Sequence, residues 1–357
     1  MRPGERGAHR CRTALEERMQ NRPNGRHWTT RACLFLALTL AGCLDPGDPG
    51  NLVPPTVDED PSLPSIEIAD TRLHAEAFGD PDAPLVITLH GGPGVDHRSM
   101  LPLQRLADEG YRVVFWDNRG AGLSRRHDAS TYGFDGYLED LRLVVEHYTT
   151  RPDQPLVFIG HSWGAMYATW FINEYGDYDG RVKGAILSEP GAFTRAQLDD
   201  YMAALEGEIS FTGEQLNDAL WSRQFMSAAD HARADYLASI ISFGGLPSEA
   251  HDPDNPIPSW RYGAVVGAQL VKLAKESDFD WTTNLSAFPR KVLFLCGDRN
   301  TIQTPEHQRR LAAAYPDAEV ISMEGGHELQ WEHPDEYLAH TRDYFAEIGF
   351  AGAEVSP

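Results

Sequence analysis

The sequence of 357 residues contains only four cysteines and no apolar run of 18 residues. A membrane-spanning helix needs about 20 mostly apolar residues, so none is predicted in the mature chain. So few cysteines at this length argue against a fold held by disulfides. Basic residues are also scarce, 31 against 53 acidic ones. Because phosphate binding needs clustered Lys and Arg, this balance argues against a general nucleic-acid binder.

The basic residues that are present concentrate at the N-terminus. Residues 1–42 contain eight arginines and three glutamates, and they end in an apolar run over 32–42. That run is too short to span a bilayer and has the length of a signal-peptide core. It closes on Leu40-Ala41-Gly42-Cys43, which resembles a bacterial lipobox, where the cysteine is diacylated and the chain is cut before it. We therefore predict a lipoprotein signal peptide over residues 1–42.

The predicted mature chain begins at lipidated Cys43, whether translation starts at Met1 or at Met19. Two lipid chains would anchor it to a membrane surface in the bacterial cell envelope without a spanning helix. Leu44 follows the cysteine, and the absence of Asp there is compatible with sorting to an outer membrane, facing the periplasm, in a cell that has one; the sequence leaves the membrane and the leaflet open. Residues 43–64 are rich in Asp, Pro and Gly without periodicity, which indicates a solvated tether.

From residue 65 onwards, short apolar runs alternate with segments of helical length. The runs predict strands over 85–89, 113–116, 156–159, 184–187, 292–295 and 320–323; helices are predicted over 98–108, 134–149, 163–175, 305–315 and 335–347. This alternation is typical of a doubly wound α/β fold with a mostly parallel sheet. We assign residues 65–190 and 289–357 to the two parts of this core. The interval 191–288 is predicted to be a helical cap, with helices over 196–206, 213–225 and 262–275.

The motif Gly160-His161-Ser162-Trp163-Gly164 lies between the strand predicted over 156–159 and the helix predicted over 163–175. A sharp strand-to-helix turn with a serine at its tip is the context of a nucleophile elbow. Ser162 is therefore the predicted nucleophile. Serine needs an adjacent base to become reactive.

The base and its acid should follow Ser162 in the chain. His327 comes directly after the last predicted strand, behind two glycines, and is the predicted base; His333, next to Pro334, is its rival. Asp298 follows the strand predicted over 292–295 and is the predicted acid that orients the imidazole. Glu189 also ends a strand and is left as an alternative acid or substrate contact.

Acyl transfer also needs donors for the oxyanion of the tetrahedral intermediate. The backbone N–H of Trp163, directly after the nucleophile, is one predicted donor. The other should come from His90-Gly91-Gly92-Pro93-Gly94, which follows the strand predicted over 85–89. Gly92 is the favoured donor and Gly91 the alternative.

The three motifs at 90–94, at 117–124 (Asp-Asn-Arg-Gly-Ala-Gly-Leu-Ser) and at 160–164 together resemble the proline iminopeptidase branch of the α/β-hydrolase superfamily, over about residues 65–350. The resemblance implies a serine hydrolase that removes an N-terminal residue, usually proline, from short peptides. It implies neither a cofactor nor a metal. Asn118 stands where that branch usually has Gln, and His161 where it usually has Gly.

The expected substrate is therefore a small peptide, or a small ester if the chain is a carboxylesterase instead. In the resembled enzymes, acidic residues of the cap bind the free amino group, but their motif is not matched here. Glu206, Glu208 and Glu214 are among the acidic residues available, and the cap tryptophans Trp221, Trp260 and Trp281 are candidates to line a pocket. A serine nucleophile does not fit the aspartate chemistry of epoxide hydrolases or dehalogenases. A third hypothesis is a catalytically silent lipid-anchored binding protein. The sequence leaves the oligomeric state open.

Overall fold

The computed structural model describes residues 53–206, 231–244 and 257–353. Its strands form one eight-stranded sheet in the order β1-β2-β4-β3-β5-β6-β7-β8. The strands are β1 (Ser65–Ile68), β2 (Thr71–Phe78), β3 (Leu85–Leu89), β4 (Arg112–Trp116), β5 (Leu156–His161), β6 (Val182–Ser188), β7 (Val292–Gly297) and β8 (Ala318–Met323). Strands β1 and β2 are antiparallel to their neighbours, and β3 to β8 are parallel.

Helices cover both faces of this sheet, which explains why its central strands are apolar throughout. Every residue of β3 and of β5 is buried. Successive side chains of β3 alternate between two cores: Leu85, Ile87 and Leu89 pack on one face and Val86 on the other. A strand buried on both faces loses the polar–apolar alternation of a half-exposed strand.

The described α-helices lie between and after the parallel strands. They are α1 (Phe134–Tyr148), α2 (Trp163–Tyr175), α3 (Arg195–Glu206), α4 (His231–Gly244), α5 (Ala264–Glu276), α6 (Pro305–Ala312), α7 (Leu329–Glu332) and α8 (Pro334–Glu347). Three 3₁₀ segments cover His97–Glu109, Ala129–Thr131 and Leu285–Ala287. The predicted helix over 98–108 is the first of these, with Pro102 inside it. Proline has no backbone N–H to donate, which disfavours a continuous α-helix there.

The predicted α/β fold class is confirmed: the sheet is mostly parallel and all six predicted strands are present. Strands β1 and β2 were not predicted: Ser65–Ile68 has only four residues with one exposed position, and Thr71–Phe78 mixes buried and partly buried positions without a regular alternation. Between β6 and β7 the described elements are the helices α3, α4 and α5 and the 3₁₀ turn at Leu285–Ala287. The boundaries of the cap remain a prediction.

The predicted signal peptide, Cys43, the predicted tether up to residue 52 and the predicted helix over 213–225 fall outside the described residues. Within the described part of the chain, no helix has the length and apolar character needed to cross a membrane.

Candidate active site

Ser162 occupies a strained turn between β5 and α2. Its φ of 52° and ψ of −116° are unusual for a residue with a side chain. Two glycines make the turn possible: a Cβ on Gly160 would lie 2.5 Å from the Gly164 carbonyl oxygen, and one on Gly164 would collide with the carbonyl of Leu89. The Ser162 N–H donates to the Ser188 carbonyl at 2.8 Å, which ties the turn to the end of β6. This is the geometry of a nucleophile elbow.

His327 lies in the loop after β8 and is held beside this elbow by His161. The His161 Nε2–H donates to the His327 carbonyl oxygen at 2.8 Å, and the two ring centroids are 4.6 Å apart. Since His161 directly precedes Ser162, the two predicted catalytic residues lie on adjoining loops. The rival, His333, directly precedes α8, and its backbone N–H donates to the Leu329 carbonyl.

A carboxylate faces His327, and it belongs to Glu189 at the end of β6. The distance from Glu189 Oε2 to His327 Nδ1 is 3.5 Å, and the Glu189 side chain is fully buried. Like Ser162, Glu189 has a positive φ, here 53°. Such strain in a residue with a side chain persists only where the surroundings enforce it, and it concentrates at functional sites.

Several donors fix the Glu189 carboxylate in this position. The Gly297 N–H donates to Oε1 at 2.6 Å, and the Asn300 amide donates to Oε2. Gln303 donates to the Glu189 backbone carbonyl. The Asn300 amide nitrogen also lies 3.5 Å from His327 Nδ1. The sequence singled out neither Asn300 nor Gln303, since polar residues in the loop after β7 carry no motif of their own.

Asp298 was the predicted acid, but in the structure the carboxylate that faces the His327 imidazole belongs to Glu189. Strand β7 continues through Gly297, so Asp298 is the first residue beyond it, and its side chain is exposed. Its Oδ1 accepts the Gly325 N–H at 3.2 Å, which supports the loop that carries His327.

Buried charges around His327 perturb its pKa. Burial alone would lower the pKa of His327, but the hydrogen bond with Glu189 and the negative charges of Glu328, Glu189 and Glu332 outweigh it, and the pKa is raised above 6.5. Burial also raises the pKa of Glu189, against the opposing effect of His327. Burial raises the pKa of Glu328 to about 7. The site therefore stabilises an imidazolium, as a general base needs after it takes a proton.

The glycine loop after β3 lies directly against the elbow. A Cβ on Gly91 would be 3.0 Å from His161 Nδ1 and 3.4 Å from the Ser162 Cβ. Gly92 has a φ of 130°, a conformation that favours glycine. Trp163 is the first residue of α2, and the first N–H groups of a helix have no partner within it. The predicted donors Trp163 and Gly92 thus lie on the two segments that adjoin Ser162.

Among the residues that the structure describes, two clusters bring histidine and carboxylate ligand atoms within 4.8 Å of one another: His74 with His97 and Asp117, and His161 with His327 and Glu328. In the first, Nδ1 of each histidine lies 2.8 Å from an Asp117 oxygen, and the rings stack at 5.0 Å. These N···O distances are hydrogen-bond lengths, so each imidazole Nδ1 is already bonded to the Asp117 carboxylate. The first cluster acts as a hydrogen-bonded support for the loop after β4, since Asp117 also accepts the Leu123 N–H at 2.8 Å.

The cap aromatics differ in their surroundings. Trp281 is buried, stacks on Trp170 at 5.1 Å and contacts Trp163 edge-on at 6.1 Å, so it packs in the core beside the nucleophile. Trp260 contacts the His74 and His97 rings edge-on. Trp221, Glu208 and Glu214 lie outside the described residues, and so does the side chain of Glu206.

The sequence and the fold are similar to those of known hydrolases. Residues 84–334 match the family model described as the alpha/beta hydrolase fold. A proline iminopeptidase of Pestalotiopsis fici is 27% identical over 289 residues, covering 78% of this chain and 98% of the relative. Epoxide hydrolase A of Mycobacterium tuberculosis is 34% identical over 320 residues, covering 79% of this chain and 97% of the relative. The crystal structure of a proline iminopeptidase from Mycobacterium smegmatis shares the fold, with a TM-score of 0.54 and 16% identity over 80% of this chain and 98% of that one.

Proposed function

Since the chain belongs to the α/β-hydrolase family, we propose that it is a serine hydrolase that works through an acyl-enzyme. The observation that carries this proposal is the strained elbow at Ser162, with His327 on the adjoining loop and a buried Glu189 carboxylate 3.5 Å behind the imidazole. Along the chain the nucleophile Ser162 is followed by the acid Glu189 and then by the base His327, which is the order found in α/β-hydrolases.

In the first half of the reaction, the Ser162 oxygen attacks the carbonyl carbon of the substrate. His327 Nε2 takes the hydroxyl proton, and Glu189 stabilises the resulting imidazolium and holds its Nδ1–H. The N–H groups of Trp163 and Gly92 bind the oxyanion. The bond to the leaving group breaks as the imidazolium returns its proton to the departing nitrogen or oxygen.

In the second half, water attacks the ester formed on Ser162. His327 takes a proton from the water and then returns it to the serine oxygen as the acyl group leaves. These steps need no cofactor, because every proton and electron pair is supplied by the triad, the substrate and water. The products are a carboxylic acid and an amine or alcohol.

Among such enzymes, we propose an aminopeptidase similar to the proline iminopeptidases, acting on the N-terminus of short peptides. The glycine motif at 90–94, the motif at 117–124 and the relative in Pestalotiopsis fici support this choice. Epoxide hydrolases are equally similar in sequence, but Ser162 stands where their chemistry needs an aspartate. A carboxylesterase with a small acyl substrate is the alternative, since the same triad cleaves both bonds.

A substrate panel separates these activities. We expect hydrolysis of proline naphthylamide with a free amino group and at least tenfold slower hydrolysis of its N-acetylated form. Equal rates on both, or activity confined to short acyl esters, would favour the esterase. Ser162→Ala should abolish turnover, while Ser62→Ala, an exposed serine, is the matched control. If Ser162→Ala keeps full activity, the serine mechanism is wrong.

The hypothesis of a catalytically silent binding protein is tested with the same purified wild-type and Ser162→Ala proteins. A fluorophosphonate probe reacts with an activated serine and should label the wild-type protein. Failure to label it, together with no turnover of any substrate in the panel, would favour the binding protein. Labelling that disappears in Ser162→Ala supports the enzyme.

We also propose that residues 1–42 form a lipoprotein signal peptide and that lipidated Cys43 holds the enzyme at the outer membrane, facing the periplasm. The arginines, the apolar run and the lipobox-like sequence support this location. Peptides that reach the periplasm would then be the accessible substrates.

A further inference from the structure

The glycine loop that supplies the oxyanion donor is bound to a segment of the cap region. Residues 259–263, just before α5, run alongside this loop. The Gly263 N–H donates to the Gly94 carbonyl at 2.6 Å, and the Tyr262 hydroxyl donates to the Pro93 carbonyl at 2.9 Å. The loop position thus depends on a segment nearly 170 residues later in the chain.

Asp96 makes the densest set of contacts between the two segments. Its fully buried side chain accepts from Ser259 Oγ at 2.7 Å, from the Trp260 N–H at 2.5 Å and from the Arg261 N–H at 3.0 Å, all through Oδ2. Its Oδ1 accepts the Arg98 N–H at 3.0 Å and caps the 3₁₀ helix that follows. One carboxylate therefore serves both the cap segment and the start of that helix.

The backbones in this region touch without side chains between them. A Cβ on Gly94 would lie 2.8 Å from the Gly263 carbonyl oxygen, and one on Gly263 would collide with the Gly120 carbonyl. A displacement of the cap segment would consequently be passed directly to the glycine loop, because no flexible side chain can absorb it.

The cap segment is itself tied to helix α4. Asp235 on that helix is fully buried; it accepts from Arg261 Nε at 2.7 Å and from the Ala264 N–H at 2.9 Å. Arg126, from the loop after β4, reaches the same carboxylate at 3.0 Å. A continuous chain of hydrogen bonds thus runs from α4 through residues 259–264 to Asp96 and the glycine loop.

We propose that Asp96 is a positioning residue that sets the oxyanion donor by holding the glycine loop against the cap segment. This inference rests on the proposed serine hydrolase mechanism. Oxyanion donors act only when they are placed within a few tenths of an ångström of the developing charge. The carboxylate would therefore affect binding of the transition state more than binding of the substrate. A purely structural cap of the 3₁₀ helix would instead change stability alone.

Two variants separate these roles. Asp96→Asn keeps the size of the side chain but turns an N–H₂ group toward the donors of the cap segment or of Arg98. Ser259→Ala removes one bond on the cap side and leaves the bond to Arg98 in place. Asp80→Asn, an exposed aspartate, is the control for loss of an acidic side chain. Each protein is first titrated with a fluorophosphonate, so that rates refer to active sites.

The readouts are kcat and KM on an activated ester and inhibition by a trifluoromethyl ketone, which forms a tetrahedral oxyanion on the serine. For Asp96→Asn we expect ketone binding to weaken about 10- to 100-fold with KM changed less than threefold. Ser259→Ala should change the same ratio in the same direction by a smaller factor, and it carries the test if Asp96→Asn does not fold. Asp80→Asn should match the wild type.

Equal changes in ketone binding and KM, or a lower melting temperature with unchanged kinetics per active site, would overturn the positioning role of Asp96. A wild-type protein that is neither labelled nor active would overturn the proposed function, and this inference with it. The two failures are distinguished by the wild-type titration.

Discussion

The identity of the acid gives the sharpest prediction, because two carboxylates compete for the role. Glu189→Gln replaces the charged partner of His327 Nδ1 with a neutral amide. The amide N–H₂ can donate to Nδ1, and this favours the tautomer that has its proton on Nε2. An imidazole in that form cannot accept the proton of Ser162. Asp298→Asn changes an exposed side chain whose Oδ1 can still accept the Gly325 N–H.

The expected magnitude follows from the loss of the correct tautomer and of imidazolium stabilisation. In serine proteases, exchange of the triad aspartate for asparagine lowers kcat about 10⁴-fold, which corresponds to roughly 5.5 kcal/mol. The Glu189–His327 distance of 3.5 Å is long for a hydrogen bond, and Asn300 shares the same imidazole nitrogen. We therefore expect a loss of about 10³- to 10⁴-fold for Glu189→Gln and less than threefold for Asp298→Asn.

The assay is the steady-state hydrolysis of an activated ester by both variants, with urea denaturation to establish that each is folded. Glu189→Asp is a further control: it keeps the charge but shortens the reach, and it should recover part of the activity. A loss of 10³-fold or more in Asp298→Asn with an active Glu189→Gln would refute the assignment of Glu189.

Three further results are expected. The value of kcat/KM should rise as pH increases through the pKa of His327, which lies above 6.5, because the neutral imidazole is the base. Glu328→Gln removes a nearby negative charge that raises this pKa, so in this variant kcat/KM should rise at lower pH. Arg119→Met should lower the free energy of unfolding in urea by about 3–5 kcal/mol, because Arg119 forms two hydrogen bonds of 2.7 Å to the buried Asp140, which would be left unpaired. Cys43→Ser should move the protein from the membrane fraction to the soluble fraction, measured by fractionation of the cells.

Each of these three predictions would be contradicted by a specific result. A pH profile unchanged by Glu328→Gln would mean that the carboxylate does not influence the base. Arg125→Met breaks a pair with Asp58 that is partly exposed, so it should cost less than about 1 kcal/mol; a cost equal to that of Arg119→Met would remove the special role of the buried pair. Membrane association that survives Cys43→Ser would contradict the lipid anchor.

The sequence was sufficient to predict the fold class, and it also singled out Ser162 and His327, whose catalytic roles stay a proposal. Ser162 follows an apolar strand and stands between Gly160 and Gly164, and His327 follows a predicted strand and two glycines, so the local sequence of each indicates a turn at the sheet edge. From the sequence we predicted Asp298 as the acid and left Glu189 as the alternative, because both come directly after a parallel strand. The decision depends on where each strand stops: β7 continues to Gly297, and Asp298 then turns outward.

Long-range contacts explain what the sequence did not predict. The loop after β4 is supported by a hydrogen bond between Asp117 and His74 on β2. Strand β2 was not predicted, because its apolar residues do not alternate regularly with polar ones. The bond between Asp96 and Ser259 spans 163 positions. Local patterns carry no information about such pairs.

Labelling by a fluorophosphonate, followed by mass spectrometry of the intact protein and of its peptides, tests the central claim most directly. The claim requires one adduct per chain, located on Ser162, and no adduct in Ser162→Ala. It also requires much slower labelling in Glu189→Gln than in Asp298→Asn. An unmodified wild-type chain, or an adduct on another residue, would contradict the proposal that this protein is a serine hydrolase acting through Ser162.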